Sequence, residues 1–423
     1  MPSKQFQDAV RPLRLTIAEE IMVAEESDRL VAETLAVNEL FIACDRKMPK
    51  SDWKYLKTKE NVQVYRAKKE ALASLERECS ESGYRKRSST VSTDSTSSGY
   101  SDEGGRRTES TSYRSTDSSS SDDSPKMKKV YSCDNSVIGM SKPPGAPLVV
   151  ATGIITGTVE DAAFGAVAHT DRLWRQRNAH LQSEFEDTMT LAQIRVPTPQ
   201  DPFTSLVVRW ATKNIGPLSR TRDCVSIEAT GIALDSRGER FAYSVKHSID
   251  WIARLPSLKH LDVVRAKSSM CYITRQYDAS SVEIFCRGFA DSACTSDLMC
   301  TDVFPNMVLS YVHVVDCSYV RKLEWLMYMK RLKRAPSIRS RSDPSHCAVC
   351  SSTFCKLSTL MKPWAPCQAC DKVICPKCAV VKNLPMDVGN TSVKLTPATF
   401  CLHCMVEAKE APACSVAATM MQV

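Results

Sequence analysis

A chain of 423 residues with 43% hydrophobic content can bury at least one sizeable core and hold two or three domains, which excludes wholesale disorder. Its net charge of +8 and pI near 8.6 suit mild attraction to anionic surfaces but fall short of the dense basic stripe of a dedicated nucleic-acid binder, so no nucleic-acid partner is expected. No apolar run approaches the roughly 20 residues that span a bilayer, and Met1 to Arg14 lacks the apolar centre of a signal peptide, so a soluble, cytoplasmic protein is expected.

Nineteen cysteines would suggest disulfides in a secreted chain. Between Cys44 and Cys317 they stand singly, mostly in apolar sequence, and read as reduced core thiols; from Cys347 onward they crowd into close pairs and read as metal ligands.

Leu15 to Asp45 is rich in Ala, Glu, Leu and Val and free of Gly and Pro. Ile17, Ile21, Ala24, Val31 and Leu35 fall near helical spacing, which predicts one long amphipathic helix. Trp53, Tyr55, Val62, Val64 and Tyr65 flank the polar Lys57 to Asn61 and predict a short hairpin. Composition changes near Cys79: Ser80 to Ser124 is mostly Ser, Thr, Asp and Arg and cannot bury enough surface to offset the entropy of ordering. Residues 80–145 are therefore expected to be a disordered insertion. It is either a solvated segment with no task or a phosphorylation platform, since Arg85-Lys86-Arg87 and Asp122-Asp123 place charge beside hydroxyls.

Order is expected again from Ala146. Leu148 to Ile155 reads as a strand, and Thr158 with Asp161 forms a capping signal ahead of Ala162, Phe164 and Val167. Beyond Pro197, Pro199 and Pro202 come β-like stretches at 203–211, 224–234, 240–249, 269–277 and 282–289, separated by turn residues. They predict a curved antiparallel sheet. Asp316 to Arg334 reads as a strong helix whose C-terminal cations suit the helix dipole. Lys330, Arg331, Lys333, Arg334, Arg339 and Arg341 run into a basic linker over 334–344. Such charges gain up to about 1 kcal/mol each near an anionic leaflet, so an anionic membrane surface is one candidate partner; a solvated helix end is the plainer alternative.

The last quarter carries four Cys-x2-Cys pairs: Cys347 and Cys350, Cys367 and Cys370, Cys375 and Cys378, Cys401 and Cys404. Two thiolates at the tip of a tight turn reach one ion at about 2.3 Å, and four complete a tetrahedral structural site, so two zinc ions are expected. Spacing alone does not settle the pairing. The tight block from Cys367 to Cys378 favours an interleaved cross-brace over sequential sites: zinc one on Cys347, Cys350, Cys375 and Cys378, zinc two on Cys367, Cys370, Cys401 and Cys404. Cys355 and Cys414 are left over, and His346 and His403 adjoin ligands as solvent-facing side chains.

Ser51-Asp52-Trp53-Lys54 through Val64-Tyr65-Arg66, Ala151-Thr152-Gly153 through Asp161, Pro202 to Leu206, Arg222-Asp223 through Gly231 and Val282 to Gly288 together resemble the START-like lipid-transfer domains that stand beside FYVE fingers in oomycete proteins. The resemblance covers 15–333, with the Ser-rich stretch as an insertion. It implies an α+β helix-grip fold, in which a curved antiparallel sheet wraps a long C-terminal helix, and a lipid or sterol ligand between them. It brings no catalytic motif.

Pro366-Cys367-Gln368-Ala369-Cys370-Asp371-Lys372-Val373-Ile374-Cys375-Pro376-Lys377-Cys378, with Phe354 four residues after Cys350, is similar to FYVE fingers. This implies a finger over 345–408, followed by a disordered tail over 409–423. The basic run that reads phosphatidylinositol 3-phosphate in that family is reduced here to Lys362, and Thr399-Phe400-Cys401 stands where the family has Arg-Val-Cys. Phosphate recognition needs several converging cations, so the expectation is a degenerate, FYVE-related finger that binds a protein partner or simply extends the domain. The expectation is a non-enzymatic zinc protein that binds a lipid or sterol and associates peripherally with intracellular, for instance endosomal, membranes. The alternatives are an interaction scaffold and a RING-type ubiquitin ligase, against which counts the lack of a histidine between Cys367 and Cys370.

Overall fold

The structure, a computed structural model, describes residues 6, 8–68, 136–181, 187–213, 220–252, 254–255, 257–291, 304–333, 345–353, 364–389 and 392–422. Residues 80–135 of the expected insertion, the basic linker with Arg334, Arg339 and Arg341, and Phe354, Cys355 and Lys362 lie outside the described residues.

Helix α1 (Ile17–Ala43) starts at Thr16, whose hydroxyl and N–H both engage Glu19 in a capping box. Its buried stripe overlaps the expected one only in part: Val31 is buried, and Ala24 and Leu35 pack against the core. Val23, Leu30, Val37 and Phe41 face the sheet, whereas Ile17 and Ile21 are 77% and 51% exposed. The phase differs because Ser27, Thr34 and Asn38 share the buried face. Thr34 donates to the Leu30 carbonyl at 2.8 Å and Asn38 accepts from Arg275 at 2.8 Å, so two of these polar positions are satisfied inside, whereas the buried Ser27 hydroxyl has no hydrogen-bond partner among the described residues.

The expected hairpin is β1 (Trp53–Lys59) with β2 (Val62–Ala67). Next among the described residues, α2 (Val137–Ser141) falls within the predicted insertion. Ser136 caps it, Val137 and Ile138 are buried, and Glu33 of α1 accepts from the Val137 N–H at 3.0 Å. Next come β3 (Val149–Thr156), α3 (Val159–Ala166) and α4 (Asp171–His180), then β4 (Thr188–Arg195), β5 (Ser205–Lys213), β6 (Arg222–Leu234), β7 (Arg240–Ser248), the short β8 (Val264–Arg265), β9 (Ser268–Gln276) and β10 (Ser281–Ala290). They form one sheet in the order β1-β2-β3-β10-β9-β7-β6-β5-β4, antiparallel throughout, with β8 pairing parallel to β6. Helices α5 (Phe304–Leu309) and α6 (Val314–Leu332) follow, so the observed order is helix, sheet, helix.

Both faces of the sheet are covered. Along β9, Cys271 and Ile273 point into the core under α1, while Met270 and Tyr272 point into a second core under α3, α5 and the start of α6. That second layer is two helices deep. α3 lies on the sheet and α6 lies largely on α3, so the long C-terminal helix meets the sheet mainly through its first turn, at Val314 and Val315.

The cap of α3 doubles as an anchor. Thr158 accepts from the Asp161 N–H at 3.1 Å, and the Asp161 carboxylate receives Ser318 at 2.8 Å and Lys322 at 2.6 Å, both from α6. At the other end of α3, Arg321 donates to the carbonyls of Phe164 and Val167, occupying acceptors that a helix C-terminus leaves open. Between these two ends the helices touch at Gly165, where a Cβ would sit 1.8 Å from the Val314 carbonyl oxygen.

The finger adds β11 (Ala365–Pro366), β12 (Val373–Ile374), β13 (Ala379–Val388), β14 (Val393–Cys401) and α7 (Leu402–Glu410). The expected tail is not free. Residues Ala413–Met420 form α8, which buries Ala413, Val416 and Ala417 in the core beside α3, because its small residues fit closely against that helix.

Gly165→Ala is expected to force α3 from α6 and cost about 1–3 kcal/mol, read as a lowered midpoint in thermal or urea denaturation.

Candidate metal centres and the enclosed interior

The structure gathers Cys347, Cys350, Cys375 and Cys378 at one place and Cys367, Cys370, Cys401 and Cys404 at another, each set with its sulfurs within 4.8 Å of one another. Two knuckles of the same design supply the first pair of each set. In one, Ser351 N–H bonds the Cys347 carbonyl at 2.9 Å and Cys347 N–H bonds Ser352; in the other, Asp371 N–H bonds Cys367 at 2.8 Å and Cys367 N–H bonds Lys372. The residue after each second cysteine takes a left-handed conformation, Ser351 at φ 56° and Asp371 at φ 58°. Each knuckle is then hung on a strand that leads to the other pair. Ala348 N–H bonds Val373 of β12, just before Cys375, and Gln368 N–H bonds Thr399 of β14, just before Cys401. Interleaving therefore follows from strand docking.

The donor sets fit a tetrahedral thiolate-bound ion. Cys350 Sγ lies 3.7 Å from Cys375 Sγ, and Cys370 Sγ lies 3.9 Å from Cys401 Sγ. A tetrahedron with bonds of about 2.3 Å has edges of about 3.8 Å, whereas a disulfide would need about 2 Å. Backbone N–H groups point at the sulfurs: Cys375 N–H to Cys347 and Cys401 N–H to Cys367, both at 3.3 Å. Cys401 is the N-cap of α7 and also receives the Cys404 N–H, so the positive end of that helix favours thiolate. Hydrogen bonds from the Ser352 hydroxyl and N–H hold the exposed Cys350 down to about 6. His346 and His403 are exposed, and neither belongs to a cysteine set.

Sequence reasoning missed how the finger is joined to the rest. Val320, Leu323, Leu326 and Met327 of α6 share a core with Ile374, Leu384, Phe400 and Ala408 of the finger. Lys330, read from sequence as either a solvated helix end or a contact for an anionic membrane, reaches into this junction: its ammonium lies 3.3 Å from Cys404 Sγ and pairs with Glu407 of α7. Arg331 and Lys333 remain exposed at the end of the helix.

Between the sheet and its helical layer lie two small spaces. One, of about 70 Å³, is lined by Arg177, Glu228, Tyr272, Tyr311 and others; the second, of about 80 Å³, shares Lys246 and Met307 with it. Side chains account for the small volumes. Tyr272 and Tyr311 stack at 3.9 Å between ring centroids. Arg209 is fully buried, hydrogen-bonds Asp171 at 2.8 Å and forms an ion pair with Glu228 at 3.3 Å, while Arg177 and the Trp174 ring N–H also engage Glu228. Burial alone would raise the Glu228 carboxyl, but Arg177 and Arg209 outweigh it and hold it below its ordinary value. This half of the helix-facing surface is polar and internally paired.

No protein-family model matches the chain, and no curated protein matches it in sequence. Among solved structures, the chain is similar to human STARD10 at 9% identity and TM-score 0.34, over 66% of this chain and 78% of that one. It is also similar to the lipid transfer and protein localization domain of human StarD13 (DLC2), at 10% identity and TM-score 0.33, over 67% of this chain and 95% of that one. Human StAR-related lipid transfer protein 5 matches at 12% identity and TM-score 0.37, over 71% of this chain and 97% of that one. The architecture described above rests on the chain's own strands and helices.

Burial lifts the Glu324 carboxyl of α6 from 4.5 to about 7, opposed by Arg321 and Arg172. A folded-state value above the unfolded one means that the folded chain holds the extra proton. Its contribution is thus complete below pH 4.5 and is lost as pH rises to about 7. Glu324→Gln is expected to stabilise the protein at pH 8 relative to wild type and to differ little at pH 4.5, as measured by urea denaturation at both pH values.

Proposed function

We propose that this chain is a non-catalytic two-zinc protein in which a FYVE-related finger is fused to a helix-grip domain, and that it acts as an interaction module at intracellular membranes. The observation that carries this reading is the interior. Among the described residues, its spaces between sheet and helices, of about 70 and 80 Å³, fall far below the roughly 300–1,000 Å³ of sites that enclose drug-sized ligands; a further hollow of about 560 Å³ lies beside β8 at Leu258 and Arg265. An all-cysteine tetrahedral set leaves no open position for water or substrate, which supports structural rather than hydrolytic metals. The outer surface of the finger carries Val381, Leu395, Leu402 and Val406, all exposed, which a protein partner or a membrane interface would meet. Arg331 and Lys333 add cations on the α6 side, favouring an anionic surface.

The lipid-carrier reading keeps one observation in its favour: the two spaces lie between sheet and helices and share Lys246 and Met307. A lipid or sterol there would have to part the Tyr272–Tyr311 stack and extend past the Arg177–Glu228 pair. Native mass spectrometry of the full-length protein from a eukaryotic host separates the readings. Two zinc ions and no discrete lipid mass are expected; a stoichiometric lipid or sterol would overturn the closed interior, and fewer than two metal ions would overturn the finger itself.

A further inference from the structure

The two metal sites have the same ligands but different surroundings. Four thiolates around a divalent ion leave a net charge of about −2, which the protein must stabilise by hydrogen bonds or cations. At the first site, Cys350 is exposed and its side-chain partner outside the cysteine set is the neutral hydroxyl of Ser352 at 3.2 Å. Among the described residues, no cationic side chain is found bonded to a sulfur there. At the second site, Cys404 is buried and the ammonium of Lys330 stands 3.3 Å from its sulfur. The Lys330 side chain is only 25% exposed and is held by Glu407, three residues after Cys404 on α7.

Lys330 does not belong to the finger. It projects from α6, the helix that also carries Ser318 and Lys322 to Asp161 in the other domain. Helices α6 and α7 run antiparallel here, since Lys322 donates to the Lys409 carbonyl at 3.3 Å while Lys330 meets Cys404 and Glu407. A charge-assisted hydrogen bond in a partly enclosed setting is about twice as strong as a neutral one. It holds the buried Cys404 sulfur in place and screens it from solvent, so a metal ion at the second site would leave more slowly.

We propose that the two metal sites are unequal and that Lys330 is the cause: acting through Cys404 as a positioning residue, it makes the second site a long-lived staple between finger and helix-grip domain. The first site, with exposed Cys350, is then the one that exchanges metal and meets electrophiles or oxidants first. The inference rests on the two-zinc reading.

Zinc-loaded full-length protein, first weighed for metal content, is challenged with excess chromogenic zinc chelator and pulsed with iodoacetamide along the time course. The expected result is release in two phases of one zinc each, with Cys347, Cys350, Cys375 and Cys378 alkylated in the fast phase and Cys367, Cys370, Cys401 and Cys404 in the slow one. Lys330→Met should speed the slow phase about 10–100-fold and leave the fast phase unchanged, while Lys330→Arg should keep both. Glu407→Gln, which keeps the ammonium but loosens it, should give an intermediate rate and serves where Lys330→Met does not fold. Metal content below two before the challenge would sink the zinc reading. Two zincs that leave wild type at one rate, or a slow phase unmoved by both Lys330→Met and Glu407→Gln, would overturn the inequality while leaving that reading intact.

Discussion

Helix α6 is the element on which the rest of the structure depends, because two cores are built on it. Its first turn, with Val314 and Val315, closes the core between α3 and the sheet, and its later turns, with Val320, Leu323, Leu326 and Met327, form one wall of the finger. A helix shared in this way cannot leave one partner without exposing apolar surface toward it, at roughly 25 cal/mol for each Å² uncovered. Metal ions held by the two cysteine sets would therefore be coupled to the stability of the sheet domain through one element. The small finger has little core of its own, and borrowing a face of α6 adds to what the metals supply.

The second feature is the use of charge where a hollow helix-grip would be apolar. Arg209, Arg177 and Glu228 sit beside Trp174 and fix α4 to β5 and β6, while Asp161 with Lys322 fixes α3 to α6. Buried ion pairs are expensive to desolvate and costly to break, so they add less to net stability than to the definition of one arrangement. Moving Arg177 or Glu228 to admit a ligand would leave an unpaired charge inside. That cost, together with the Tyr272–Tyr311 stack, is the physical basis of the closed interior.

Legibility followed the range of the interaction. The Thr158–Asp161 cap was readable because its partners are three residues apart; that Asp161 also binds Ser318, 157 positions away, was not. The same limit applied at the metal centres. Each knuckle is local, so the eight cysteines could be named, while the Lys330 contact with Cys404 spans 74 positions and left a charged helix end that read as solvent-facing. Helix α4 escaped notice because its sequence, Asp171 to His180, lacks an apolar stripe; Trp174, packed with Ala168, Ala211 and Cys224, and ion pairs hold it. In α1 the apolar pattern pointed to Ile17 and Ile21, and the sheet selected the neighbouring face with Ser27, Thr34 and Asn38.

By itself the sequence determined the α+β content, the antiparallel strands and the four Cys-x2-Cys pairs, because alternation, helical period and Cys-x2-Cys turns are set by backbone geometry over a few residues; which pairs join was decided by the docking of each knuckle on a strand. Only the tertiary structure decided which face of α1 is buried, that residues Ala413–Met420 fold back onto α3, that Tyr272 and Tyr311 stack between sheet and helices, and that a lysine from one domain meets a sulfur in the other. Those outcomes depend on contacts between distant segments competing for the same space and charge, and no local pattern encodes the winner.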